Sequence, residues 1–465
     1  MSKKRRRAGA PVALDPGVTG RRAQTTGSRG AGVARGAVFF LLFFFLGSIT
    51  AVPSQAARLA LAEALDTAQR QSPEIQQAEA QYDSALEKVG FALAPAEPSL
   101  SLSLNDTTQP FGFGPAASKV IQVSQPIGFP GRALLNRSMF KELASASNAQ
   151  LRALRLQVGV NVKAAYYGLQ LARKNIELNS DTRLAYERIS SVAKRRYESG
   201  AAAQVDYLNA QVALLSNSND LSDLEASERQ ARAQMNVLLK RPVAAPLDVD
   251  PIAMAYHPKV ELDEAIEQML ANRHEIAAAR AAARAAERAY HLAWYQLLPD
   301  FQLTLGTTIY NNRFASPYSS DADFVAAGSA TWPTETYQVG VQITVPIWFL
   351  FNERHAIEGA ARDRAAAERG LEIAFNQSKV ALESAVDAIR SSEAKIERFE
   401  RHILPMAEQS LNLALIDYSS GKIDFLTLAA SAAARRQARL SYATAVVAYL
   451  TSYATYGELI GEELK

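Results

Sequence analysis

The chain has 465 residues, 48% of them hydrophobic, and no cysteine, which excludes disulfides, thiolate metal sites and cysteine nucleophiles. Its formal charge is +3, yet Met1 to Ala56 carries nine Lys or Arg against Asp15 alone, so the remainder stands at −5. Without a basic mature chain, a nucleic-acid partner loses its main electrostatic basis.

Residues 1–56 read as a signal peptide: basic residues from Lys3 to Arg35, the apolar run Ala37–Val52, then Ser54-Gln55-Ala56 as the cleavage site. A largely apolar run of sixteen residues falls short of the roughly 20 that span a bilayer, which argues against a membrane anchor. No cysteine follows the cleavage site, so no lipid anchor is expected. Beyond the leader no window reaches the length and hydropathy of a transmembrane helix. An exported chain can still enter a membrane as a β-barrel.

Residues 57–240 form a first unit. Leu59–Leu93 is rich in helix formers, and Pro95 and Pro98 end it. Two strands follow, near 99–109 and 117–127: Ser99–Leu104 alternates serine with leucine, and Ile121–Phe129 reads IQVSQPIGF. The turn-rich stretch Pro110–Gly114 lies between them. Arg132–Tyr197 has no proline and predicts a rod of about 100 Å at 1.5 Å per residue. It stops at YESG, Tyr197–Gly200, where glycine can end a helix in the left-handed conformation. A second helix, Gln204–Lys240, places Val205, Leu208, Val212 and Leu215 at the spacing of a coiled-coil seam, predicting an antiparallel hairpin.

Residues 241–259, with four prolines, are the linker between halves, and 260–465 repeat the pattern. LAEAL at Leu61 returns as LDEAI at Leu262, Pro73 as His274 and Pro98 as Pro299, each 201 residues on. Strands are expected near 300–310 and 336–346, the latter reading VQITVPIWF at Val341–Phe349, 220 residues after its counterpart. The loop Asn311–Thr336 absorbs the 19 extra residues. YSSG, Tyr418–Gly421, follows YESG by 221. The second long segment differs by Pro405, which should kink or break it near His402. The chain is one duplicated order: helix, strand, strand, long helix, helix.

The four strands have the length of tilted transmembrane strands, and Phe91, Phe129, Trp294, Tyr295, Tyr310, Trp332, Tyr337, Trp348 and Phe349 gather near their ends as an interface girdle would. Four strands cannot close a barrel, since single-chain barrels begin at about eight, and an open edge in lipid is prohibitive. Three copies give 12 strands and bring twelve helical segments into a tube.

This duplicated order, with YESG…VDYLNAQ and YSSG…FLTLAA after the two long helices, resembles the TolC-type outer-membrane factors, trimeric exit ducts of tripartite efflux pumps and type I secretion systems. Ser124–Arg132, SQPIGFPGR, looks like the heavy-metal (cobalt, zinc, cadmium) branch. The resemblance implies a mainly α protein with a membrane β-barrel, a trimeric 12-stranded barrel continued by an α-helical periplasmic tunnel. It implies a Gram-negative outer-membrane location with a large periplasmic portion. Its partners would be two further copies, outer-membrane lipid, a periplasmic adaptor (membrane fusion protein) and an inner-membrane RND or ABC-type pump.

The resemblance makes Asp206 a gate aspartate and Tyr418 its partner tyrosine, and makes the tips at Tyr197, Gly200 and Gly421 the adaptor-docking sites. Ile423 stands where some members carry an arginine, and Thr427 and Ala430 where some carry acidic residues, so Asp424 is the remaining candidate for entrance charge, against a plain turn residue. Pro126 and Pro346 mark the junction of barrel and tunnel.

Three alternatives remain. The duct can serve type I protein secretion or drug efflux rather than metal efflux, or the chain can be a periplasmic coiled-coil adaptor. An enzyme is not expected: His257, His274, His291, His355 and His402 are scattered, with no HExxH, nucleophile elbow or phosphate loop. No catalytic residue, cofactor or resident metal is expected either.

Overall fold

The computed structural model describes residues 58–107, 116–253, 259–310, 335–349, 351 and 353–462. The leader, Pro110–Gly114, residues 311–334 with Trp332, His257 and Asn352 lie outside the described residues. In chain order the elements are β1 (Arg58–Leu59), α1 (Leu61–Gln71), α2 (Pro73–Phe91), β2 (Ser99–Thr107), β3 (Ala116–Ile127), α3 (Arg132–Glu198) and α4 (Gln204–Leu238). After β4 (Asp248–Val249) come α5 (Leu262–Asn272), α6 (His274–Tyr295), β5 (Asp300–Tyr310), β6 (Glu335–Thr344), α7 (Glu353–Arg398), a π-helical turn (Phe399–Ile403), α8 (Leu404–Ser419) and α9 (Phe425–Ile460).

The first predicted helix is two. Proline disfavours helical geometry in the residue before it, and Ser72 is accordingly extended, with its Oγ accepting from the backbone N–H of Ile75 at 3.5 Å as the cap of α2. The second repeat breaks at the matching place without a proline: Arg273 is extended and His274 opens α6. Pro405 does not break the second long helix. The turn just before it widens to a π-helix over Phe399–Ile403, which holds His402, and helical geometry continues on both sides. A π-turn is one way a helix accommodates a residue that offers no N–H and crowds the preceding carbonyl.

β2, β3, β5 and β6 form one antiparallel sheet in that order, joining both repeats. Its register explains its two faces. Leu100 lies opposite Val123, Val123 opposite Leu305 and Leu305 opposite Val339, an apolar row across all four strands, and every member is exposed. One residue on, the row is Ser101, Gln122, Gly306 and Gln338. The polar face is held by side chains: Asn105 Nδ2 donates to Ser118 Oγ at 3.3 Å, Gln122 Nε2 to Ser124 Oγ at 3.1 Å and Gln338 Nε2 to Thr308 Oγ1 at 3.3 Å. Ser118, Ser124 and Thr308 are buried. The usual soluble arrangement, apolar side covered and polar side wet, is inverted.

The sheet passes into the helices at Gly131, whose φ of 93° needs glycine. Arg132 then donates from Nη1 to both carboxylate oxygens of Asp300, at 2.7 and 2.9 Å, and from Nη2 to the Tyr295 carbonyl at 2.8 Å, tying the start of α3 to the start of β5. The two junction prolines differ. Pro346 lies two residues past the end of β6, whereas Pro126 is still paired, opposite Gln302. β2 stops pairing at Ser124, so Pro126 lies where β3 is already an edge on that side, a position that tolerates a missing donor.

Below the sheet α3 packs against α2, α4, α6 and α9, and α7 packs against α6 and α9. Each repeat owns a core: Ile75, Val162, Leu169 and Met235 in the first, Met269, Leu382, Ile389 and Tyr449 in the second. The linker is fastened rather than free. β4 pairs in parallel with β1, Arg173 bonds Asp248 and the Leu247 carbonyl, and Gln170 Nε2 donates to the Asp250 carbonyl at 2.7 Å. Gly461 ends α9 with φ 79°, and a Cβ there would lie 2.5 Å from the Asn272 carbonyl oxygen at the end of α5.

The expected seam of Val205, Leu208, Val212 and Leu215 does not face α3; all four are exposed in the single chain. α4 instead turns Ala210 and Gln211 inward, Gln211 Nε2 donating to Ser190 Oγ of α3 at 2.9 Å. Ion pairs join the hairpins further along. Arg436 on α9 bonds Asp220 on α4 at 2.8 Å, Arg439 bonds Asp181 on α3 at 3.0 Å and Glu408 on α8 at 3.2 Å, and Arg435 also bonds Glu408. The Arg435 guanidinium bonded to it holds the Glu408 carboxyl below the usual carboxylate range against the opposing effect of burial, with Arg439 adding to the lowering.

Gly461→Ala combines a left-handed strain of about 1–2 kcal/mol with the Asn272 clash, and is expected to lower Tm. Circular dichroism of the purified protein in detergent measures this. A depressed carboxyl stabilises above the ordinary carboxylate pKa and loses that contribution as pH falls through its lowered value. The Tm deficit of Glu408→Gln should therefore be largest near neutral pH and close in acid, as a pH series of melts records.

Candidate functional site

The end of the molecule away from the sheet is built by two glycine turns. At the first, Gly200 has φ 71° and Ala201 N–H reaches back to the Arg196 carbonyl at 2.7 Å; at the second, Gly421 has φ 82° and Lys422 N–H reaches the Asp417 carbonyl at 2.9 Å. Both are the left-handed helix endings that glycine accommodates without a Cβ penalty. Between them Ile189 and Ala193 of α3, Ala210 of α4, Leu411 and Tyr418 of α8, and Phe425 and Leu428 of α9 form a small apolar core.

The structure brings Asp206 and Tyr418 together. The Tyr418 hydroxyl donates to Asp206 Oδ2 at 3.3 Å, linking the last turn of α8 to the first turn of α4. That carboxylate also lies at the N-terminal end of a helix, which favours negative charge. At 3.3 Å the bond is long for a charge-assisted O–H···O contact, so its worth lies near the bottom of the ~1.5–3 kcal/mol range for bonds to ionised groups. Burial, reinforced by the Asp206 charge, pushes the Tyr418 hydroxyl up, while Arg196 opposes; the hydroxyl thus stays a donor. The ring is fully buried, edge-on to Phe425 at 6.3 Å between centroids.

The duplicated positions behave differently. Tyr197, the counterpart of Tyr418, is 41% exposed. Asp206 corresponds to Thr427, and Ala203 to Asp424. In the second tip the carboxylate therefore stands at the cap: Asp424 Oδ1 accepts from the Thr427 N–H at 2.9 Å and from its hydroxyl at 2.6 Å. These bonds lower the Asp424 pKa, and the side chain is exposed and ionised. Ile423 packs against the tip core. Gly200 faces open space. Pro126 and Pro346 lie at the other end of the long helices.

Sequence reasoning missed Arg196. Its Nη1 donates to the Tyr418 carbonyl at 2.6 Å, its Nη2 to the Ala201 carbonyl at 2.9 Å, and its guanidinium carbon lies 4.7 Å from the centre of the Tyr418 ring. A signal was present: at the 221-residue offset Arg196 aligns with Asp417, a reversal of charge directly before the paired tyrosines.

Comparison with known proteins agrees with this architecture. The outer membrane efflux protein family matches residues 64–239 and 265–462. Protein CyaE of Bordetella pertussis is 28% identical over 340 residues, covering 70% of this chain and 68% of CyaE. The cobalt-zinc-cadmium resistance protein CzcC of Cupriavidus metallidurans is 23% identical over 336 residues, 69% of this chain and 72% of CzcC. Among solved structures, CusC superposes with a TM-score of 0.71 at 17% identity, covering 88% of this chain and 93% of CusC. The outer-membrane channel OprN gives 0.70 at 18% identity over 86% of this chain and 89% of OprN, and VceC of Vibrio cholerae gives 0.71 at 16% identity over 87% and 97%. The TolC-type fold is thus shared, and OprN and CusC are channels rather than enzymes. With the family matching both repeats, from the first helix to the end of the last, this chain belongs to the outer membrane efflux protein family.

Proposed function

We propose that three copies of this chain form the outer-membrane exit duct of a tripartite efflux pump, passively conducting heavy-metal cations received from an inner-membrane pump through a periplasmic adaptor. The observation that carries the reading is the four-stranded sheet with a bare apolar face, joined through Gly131 to helices of up to 67 residues. Such a face suits lipid, and its two open edges demand closure by other copies. Twelve strands from three chains supply that closure. The exposed stripe of Val205, Leu208, Val212 and Leu215 suits burial against a neighbouring copy in the tunnel wall.

In this duct Asp206 and Tyr418 act as the gate, stitching α4 to α8 at the periplasmic end. The exposed tips at Tyr197, Gly200 and Gly421 dock the adaptor. Asp424, repeated three times around the axis, adds a field that favours cations at the entrance. The metal cargo rests on the likeness to CzcC, whose name states cobalt-zinc-cadmium resistance, and on the SQPIGFPGR stretch. A type I secretion or drug-efflux duct would share every structural feature named here, because passive ducts take their specificity largely from the pump behind them. The lipid-ready sheet argues against a periplasmic adaptor.

Asp206→Ala and Tyr418→Phe are each expected to raise single-channel conductance in planar bilayers; unchanged conductance in both would remove the gate. Deletion of the gene should sensitise cells to cobalt, zinc or cadmium. Sensitivity to dyes alone would transfer the cargo to drugs.

A further inference from the structure

We infer that Arg196 is the positioning residue of the gate: a one-sided latch by which the first hairpin tip holds Tyr418 of the second in place for Asp206. This rests on the gate reading above.

The geometry is specific to arginine. A planar fork can serve two acceptors at once, and here one arm takes the carbonyl of Tyr418 while the other takes the carbonyl of Ala201 in its own turn. The same group covers the Tyr418 ring at 4.7 Å, within the range of cation–π attraction. Tyr418 is therefore held at its backbone and at its ring by α3, while its hydroxyl reaches α4. Without that hold the hydroxyl bond at 3.3 Å is a weak tether for two helix ends.

The second tip makes room for the latch. Gly421 has no side chain, and a Cβ there would lie 3.2 Å from Arg196 Nη2. Ile423 packs on the tip core, so no cation stands two residues past the turn. Nothing reciprocal runs the other way among the described residues: Asp417, the counterpart of Arg196, pairs with Lys422 of its own turn at 3.5 Å. Both groups joined by the fork, the carbonyls of Ala201 and Tyr418, are at or beside the tips, so a partner seated there that captured Arg196 would free Tyr418 without touching the Asp206 bond directly.

The test compares conductance in planar bilayers for the full-length protein, Arg196→Ala, Arg196→Lys, Tyr418→Phe, and the double variant Arg196→Ala with Tyr418→Phe. Arg196→Ala is expected to raise conductance several-fold, to the level of Tyr418→Phe, and the double variant to add nothing to either. Arg196→Lys should fall between wild type and Arg196→Ala, since one ammonium cannot bridge both carbonyls as a fork does. It also keeps the test open if the alanine variant does not assemble, which heat-modifiable migration reports. Wild-type conductance in Arg196→Ala and Arg196→Lys while Tyr418→Phe opens the channel would overturn the latch and leave the gate. Additive effects in the double variant would also overturn it. If Tyr418→Phe and Asp206→Ala both leave conductance unchanged, gate and latch fall together.

Discussion

A sheet that exposes its apolar face and leaves two edges unpaired is the constraint on which the rest of the structure depends. Leu100, Val123, Leu305 and Val339 lie in one row across four strands, with nothing among the described residues to cover them. Lipid satisfies such a row, but lipid offers nothing to an open strand edge. The single chain is thus incomplete in two ways, apolar at the sheet and apolar again along the outer stripe of α4. The proposed association of copies around a common axis would meet both.

Duplication supplies matching parts, and divergence sets the two tips apart. The two repeats have matching elements, matching helix breaks at Ser72 and Arg273, and matching glycine tips. At the tips their side chains part company. Tyr418 is buried and bonded where Tyr197 is exposed; Asp206 reaches across where Thr427 serves Asp424; Arg196 crosses to the other hairpin where Asp417 stays at home. A symmetric pair of tips would place the same contacts twice, whereas this one concentrates them on a single tyrosine. Further along the helices, the arginines of α9 bind α3, α4 and α8 together through carboxylates, so the hairpins are joined by charge and by one small apolar core at the end.

The long-range order was legible because it is written in periodicity. Alternating runs gave strands, a proline-free stretch from Arg132 gave the long helix, and repeats at nearly constant offset gave the duplication. A family likeness named Asp206 and Tyr418 as candidate partners, and the contact between them is seen in the structure. Less legible were features set by what an element packs against. The α4 seam has coiled-coil spacing, yet spacing says only that residues share a face, not which neighbour that face meets. Pro405 was expected to kink or break a helix near His402, and the chain answers with a π-turn over Phe399–Ile403 rather than a break.

The sequence by itself determined the repeat, the alternation of the strands, the span of the first long helix and the glycine stops, since each depends on residues close together in the chain. Only the tertiary structure decided which of two equivalent tyrosines is buried, that the linker is strapped to α3 through Arg173 and Gln170, and that Arg196 lies over Tyr418, 222 positions away. Those facts depend on how two hairpins approach each other. That approach is fixed by the summed packing of Ile189, Ala210, Leu411 and Leu428, and no local pattern records it.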